Sequence, residues 1–181
     1  GFDVELNSLI GNGLGSATGY HGGIITLYRY LNDFYTGNMP GSFSKGITFA
    51  ENLVTGKARL CGTTASLLGL EKSLNQEESI LRKINEGKMK KDSSKLIMAQ
   101  NNVQNSIDRI LLLHAVSASM PSMFIIYSGD EIGELNDYSY IKDPNICDDN
   151  RYVARGKFNW ESAKLIDNDA NSYQFKIFNG I

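Results

Sequence analysis

The residues able to do chemistry in this 181-residue chain crowd into one stretch, from Ser122 to Arg155. Asp130 and Glu131 follow Gly129 directly, and an irregular run dense in Asn, Asp and Tyr closes on Asp148, Asp149, Asn150 and Arg151. Carboxylates, amides and a guanidinium gathered this way suit the binding of hydroxyl groups or of another carboxylate, because an arginine fork donates several hydrogen bonds in fixed directions. The other reactive side chains form no such group. Cys61 and Cys147 are far apart with no metal-ligand pattern near either, and two thiols in a reducing compartment fit them better than a disulfide. His21 and His114 share no zinc-type spacing, so no metal is expected.

The elements that must position this stretch can be read from apolar spacing. Met123 to Tyr127 is a short apolar run bounded by Gly129, the pattern of a strand buried on both faces. Before it, Asn105 or Ser106 reads as a helix cap, with Ile107, Ile110, Leu111, His114 and Val116 on one face and Pro121 ending the helix. His114 on that face is expected as a satisfied core histidine. Ile24 to Tyr35 has helical spacing stopped by Gly37 and Pro40, and Gly41 to Leu60 reads as loop with short extended pieces. Thr63 or Thr64 is placed to cap a helix over the TTASLLGL run. Glu71 to Gln104 is rich in Lys, Glu, Asn and Ser with a sparse stripe of Leu74, Ile80, Leu81 and Ile84, and is expected as an exposed helical excursion. The glycine-rich opening, with GNGLG at 11–15, reads as a flexible loop, since no strand precedes it and no Walker lysine follows. Lys157 to Trp160 offers a local aromatic anchor, and Ala170 to Ile181 reads as the start of a helix.

Composition excludes several classes. A net charge of −2 and a pI near 5.7 give no electrostatic case for nucleic acid or an anionic membrane. No apolar run approaches the roughly 20 residues that span a bilayer. The first residues lack the basic start and apolar core of a signal peptide, but an export signal would lie outside this fragment, so its start says nothing about export; a cytoplasmic location is the expectation. With no initiator Met and an isolated strand before an unfinished helix, the chain is expected to be cut from a longer protein at both ends.

Three blocks in this order resemble the α-amylase-type (glycoside hydrolase family 13) enzymes, and among them the amylosucrases. They are Leu31 to Gly46 (LNDFYTGNMPGSFSKG), Thr55 to Gly69 (TGKARLCGTTASLLG), and Ile107 through GDE at 129–131 and LNDYSY at 135–140 to DDNR at 148–151. The blocks cover most of the chain except 71–104, which looks like an insertion. The resemblance implies an α/β fold, a partial (β/α)8 TIM barrel holding the last strand or strands and helices, with a mostly helical insertion in the loop after strand 7. Residues 1–104 would be that excursion, with a charged insertion at 71–104. Residues 105–181 would be the last helix–strand unit, a sugar-binding loop and the start of the final helix. Such barrels place ligand chemistry at the C-terminal ends of their strands.

The resemblance implies a retaining enzyme that cleaves sucrose and transfers the glucosyl unit to a glucan through two carboxylates and a covalent intermediate. The nucleophile, the acid and the stabilising aspartate would come from strands 4, 5 and 7, before Gly1. No catalytic residue is therefore expected in this chain, and Asp130 and Glu131 would brace the end of strand 8. What carries over is substrate binding. Arg59 matches an arginine reaching the acceptor subsite. Arg151 matches one that pairs with an aspartate of an early barrel loop at the floor of the glucosyl pocket. Asp149 and Tyr138 complete the expected substrate-binding set, with Tyr138 and Tyr140 placed either to stack on sugar rings or to pack the loop. No cofactor is implied, and the partners would be sucrose or an oligosaccharide and the rest of the barrel. Two other outcomes stay open: a sucrose hydrolase or phosphorylase-type relative, and a stand-alone, non-enzymatic helical binding module.

Overall fold

The computed structural model describes residues 24–52, 54–90, 94–121 and 123–181. The glycine-rich opening lies outside them. The described chain is helix-rich with one small sheet. Helix α1 (Ile24–Thr36) ends where expected, at Gly37 in the left-handed region at φ 81°, with the Gly37 N–H bonded to the Phe34 carbonyl at 3.1 Å. Two short strands follow, β1 (Ile47–Phe49) and β2 (Arg59–Cys61), paired antiparallel with Ile47 opposite Cys61 and Phe49 opposite Arg59. Asn32 of α1 anchors the connecting loop by donating to the Gly56 carbonyl at 2.8 Å.

Thr63 caps the single turn α2 (Thr64–Leu67), its hydroxyl accepting the Ser66 N–H at 3.2 Å. Gly69 then reverses the chain at φ 100° into α3 (Leu70–Asn85). A Cβ there would lie 3.0 Å from both Phe43 and Arg109, so the turn requires glycine for conformation and for space. Arg109 fills the elbow, stacking 4.0 Å over the Phe43 ring and donating to the Leu68 carbonyl at 2.9 Å.

Helix α4 (Ser94–Ser119) returns antiparallel to α3, as the pairs Ser73–Ser106 and Gln76–Asn102 show. Two expectations are modified here. The described residues of 71–104 are mostly exposed and largely helical, as expected, yet one stripe turns inward: Glu71, Ser73, Ile80 and Ala99 are buried, and Leu74 and Val103 pack on the core of Ala65, Leu70, Ile107, Ile110 and Ile177. Second, α4 passes through Asn105 and Ser106 without a break. Ser106 is buried mid-helix, its hydroxyl bonding back to the Asn102 carbonyl at 2.8 Å, the alternative to capping open to a serine inside a helix.

The apolar run Met123 to Tyr127 is the third correction. It forms no strand and pairs with none among the described residues, and Met123, Ile125 and Tyr127 are 84, 76 and 62% exposed. A strand buried on both faces needs neighbours on both edges, and the described residues supply none. His114 is buried beside this run, 6.1 Å from the Phe124 ring, but its Nε2 has no partner among the described residues, so it is not the satisfied core histidine expected.

Beyond the loop lie α5 (Trp160–Ala163), α6 (Leu165–Asn168) and α7 (Tyr173–Phe178). Ser172 caps α7 and Ile177 enters the core against Leu70 and Ile110. Trp160 contacts Phe158 at 4.7 Å but is 72% exposed, an aromatic pair on the surface rather than an anchor. Among the described residues no helix is long and apolar enough to cross a membrane.

Candidate functional site

The β1–β2 hairpin decides where the arginines go. Directly opposed residues of an antiparallel pair share a face, as do alternate residues of one strand. Phe49, Arg59, Ile47 and Cys61 therefore project from the same side. The segment Asn150–Ala154, a short 3₁₀ helix, is tied against this hairpin by Asn150, which donates to the Thr48 carbonyl at 2.8 Å and accepts from the Tyr140 hydroxyl at 2.8 Å. That tether lays the Arg151 guanidinium over the Phe49 ring at 4.8 Å. Arg59 and Arg151, distant in sequence, thus flank one aromatic ring.

Asp149 orders the arginine. It caps the 3₁₀ helix by accepting the Arg151 N–H at 3.0 Å, and it receives the side chain as a fork, Nε at 2.8 Å and Nη2 at 2.6 Å. These hydrogen bonds hold the Asp149 carboxyl down at about 2 and raise Arg151. Arg155 joins the cluster, stacked 5.6 Å over Tyr152. At its centre the Cys61 thiol is pushed up by burial and then by Asp149, against the opposing pull of Arg151, Arg155 and Arg59. Cys61 is therefore a neutral thiol at physiological pH, and both cysteines are free.

A cavity of about 230 Å³ opens beside this cluster, lined by Arg151 and Arg155 on one side and Tyr127 to Asp130 on the other. It sits at the C-terminal end of the apolar run 123–127. Gly129, at φ 101°, turns the chain there, and the Glu131 carboxylate accepts its N–H at 2.7 Å. Asp130 is raised by burial, offset by a hydrogen bond from the Thr64 side chain.

Of the expected binding residues, the structure brings together Arg59, Asp149 and Arg151. Arg151 has Asp149 as its carboxylate partner among the described residues. Tyr138 belongs to a different assembly. Its hydroxyl lies 3.1 Å from Glu71 and accepts from Asn136 at 3.1 Å, while the Lys45 ammonium sits 5.0 Å over its ring. The buried Glu71 carboxylate also binds Lys45 and the Ser66 hydroxyl, joining α3, the strand entering β1, α2 and the 136–138 loop. Tyr140 is buried, its hydroxyl held by Asn150.

Sequence reasoning passed over Asn150, Arg155 and Glu71. Asn150 and Arg155 carried a signal, lying within or next to the DDNR block. Glu71 carried none, because it opens the charged segment that reads as surface. No family model matches the chain. Among the described residues no three His, Cys, Asp or Glu side chains are grouped to hold a metal ion.

Proposed function

We propose that this chain is the sugar-binding end section of an α-amylase-type enzyme resembling the amylosucrases, whose whole barrel cleaves sucrose and passes the glucosyl unit to a glucan. The observation that carries this reading is the cavity at the C-terminal end of Met123–Tyr127, walled by Arg151 and Arg155. Barrel enzymes bind ligands at that end of a strand. The run itself supports it: five consecutive apolar residues, mostly exposed and without strand partners among the described residues, form a surface that neighbouring barrel strands would cover.

In this reading each side chain has a plain task. Arg151, held rigid by Asp149, donates hydrogen bonds to sugar hydroxyls from a fork that loses little freedom on binding. Phe49 supplies an apolar face beside it, and Arg59 reaches the acceptor side. Asp149, with its carboxyl near 2, stays ionised and serves as an orienting group, not a proton donor. The acid and nucleophile that retaining chemistry needs, roughly 5 Å apart across the bond, come from preceding strands. Transfer and hydrolysis then differ in which acceptor reaches the intermediate.

The test is sucrose turnover by two polypeptides. The 181-residue chain alone releases no glucose or fructose above a buffer blank. A polypeptide that adds the preceding barrel strands releases both. Turnover by the chain alone, or none by the longer polypeptide, overturns the proposal. Retention of sugar binding with an inert longer polypeptide would instead favour a non-enzymatic binding module.

A further inference from the structure

Between the 41–43 segment and the facing sides of α3 and α4 lies an open cavity of about 290 Å³, which shares no lining residue with the cavity beside the arginine cluster. Its charged lining groups are Lys72 and Arg109, both cations, and no carboxylate lines it. Arg109 is partly buried and held from three sides. Its guanidinium stacks 4.0 Å over the Phe43 ring, Nε donates to the Leu68 carbonyl at 2.9 Å, and Nη2 donates to the Ser106 hydroxyl at 3.0 Å. Ser106 is fixed in turn by the buried Ser73 hydroxyl at 3.2 Å. The Arg109 Nη1 has no hydrogen-bond partner among the described residues. Lys72 donates once, to the Ser42 carbonyl at 2.5 Å. Neither cation has an ion-pair partner among the described residues. Asp108, the acid beside Arg109 in sequence, is exposed and accepts from Gln104 instead. Burial pulls Arg109 below its ordinary value, with Asp108 opposing. A cation partly withdrawn from water and without a counter-charge favours an anion as its ligand.

We propose that this cavity binds a phosphate group, either free or carried on a small organic monoester. The groups left over after the fold has used their neighbours are donors: the Arg109 Nη1, the remaining Lys72 N–H groups and the Gln76 amide N–H2. The Gln76 carbonyl oxygen is already engaged by Asn102 at 3.4 Å. A phosphate near neutral pH carries about −1.5 to −2 charges and several strong acceptor oxygens, which matches a donor-rich site with two cations. Other ligand classes fit worse. A ligand recognised through its hydroxyl protons finds few free acceptors, and a divalent cation meets two positive charges and no carboxylate. The volume lies at the lower edge of the roughly 300–1,000 Å³ typical of small-molecule sites, which suits a small anion.

The test is amide NMR titration of the 181-residue chain with inorganic phosphate, phenyl phosphate and acetate, at an ionic strength held constant with sodium chloride. Saturable shifts at Gly41, Phe43 and Ser73 are expected with both phosphates. Tighter binding of phenyl phosphate assigns an organic monoester, and equal or weaker binding assigns the free ion. Lys72→Met, an exposed change, weakens phosphate binding at least about tenfold, the loss expected for a charge-assisted hydrogen bond. Gln76→Glu sets a carboxylate at the exposed rim, keeps an acceptor for Asn102 and abolishes saturable binding, and it serves should Lys72→Met fail to fold. Arg151→Ala leaves phosphate affinity here within about twofold, a readout that separates this cavity from the arginine cluster. Phosphate shifts confined to Arg59, Arg151 and Arg155 would overturn the proposal while leaving the arginine site standing. Absence of saturable shifts, acetate binding as tightly as phosphate, or full binding in Gln76→Glu would also overturn it.

Discussion

Removing the Glu71 carboxylate should cost the fold more than any other single charge. The side chain is 7% exposed and joins four segments. Its bond from the fully buried Ser66 hydroxyl, at 2.6 Å, is charge-assisted and worth about 1.5–3 kcal/mol. The Tyr138 hydroxyl, at 3.1 Å, adds about 0.5–1.5 kcal/mol. The Lys45 ion pair adds little, about 0–1 kcal/mol, since the lysine side chain is 41% exposed and water screens it. Glu71→Ala is therefore expected to destabilise by about 3–4 kcal/mol. For a domain of this size that is a fall in Tm of roughly 6–16 °C. Glu71→Gln keeps an acceptor for Ser66 and should lose about half as much. Urea unfolding followed by circular dichroism measures both. A Glu71→Ala loss below about 1 kcal/mol, or equal losses for the two variants, would refute the claim that this network organises the loop carrying Tyr138.

Other outcomes follow from the same geometry. The Asp149 carboxyl should titrate near 2 by carbon NMR and return toward the ordinary 3.8 in Arg151→Ala. Because folding lowers this value, the stability it contributes is full above about pH 4 and is lost as pH falls through 2. Cys61, pushed up by burial, should react with a thiol reagent at pH 8 more slowly than free cysteine, and the lag should vanish in urea. Ile110→Ala, at a residue 1% exposed in the core, should destabilise by about 2–5 kcal/mol in the same urea assay, whereas Ile125→Ala, 76% exposed, should change stability by less than about 0.5 kcal/mol.

Local signals were legible in the sequence, and distant ones were not. The helix from Ile24 and its stop at Gly37, the Thr63 cap and the short extended pieces before Leu60 depend on residues within a few positions of each other. The start of α4 was misplaced because Ser106 is a good cap by type, and only Ser73, from another helix, shows that it faces inward. Glu71 reads as surface until Lys45, Ser66 and Tyr138 arrive from three other segments. Met123 to Tyr127 has strand composition, but composition does not say what pairs with it. Of the residues read as a binding set, Arg59, Asp149 and Arg151 lie together around Cys61, while Tyr138 belongs to a network whose centre, Glu71, gave no sign in the sequence.

The most direct measurement is sucrose kcat/KM for Arg151→Ala against wild type, in a polypeptide extended by the barrel strands that the proposal requires, with unfolding curves for both. The guanidinium is partly exposed, 41%, and its partner Asp149 keeps solvent access, so the fold should be little affected. If Arg151 binds the sugar as proposed, those hydrogen bonds are charge-assisted and kcat/KM should fall about tenfold to a hundredfold. Wild-type sucrose turnover in a folded Arg151→Ala protein would contradict the assignment of this end of the hairpin to sugar binding.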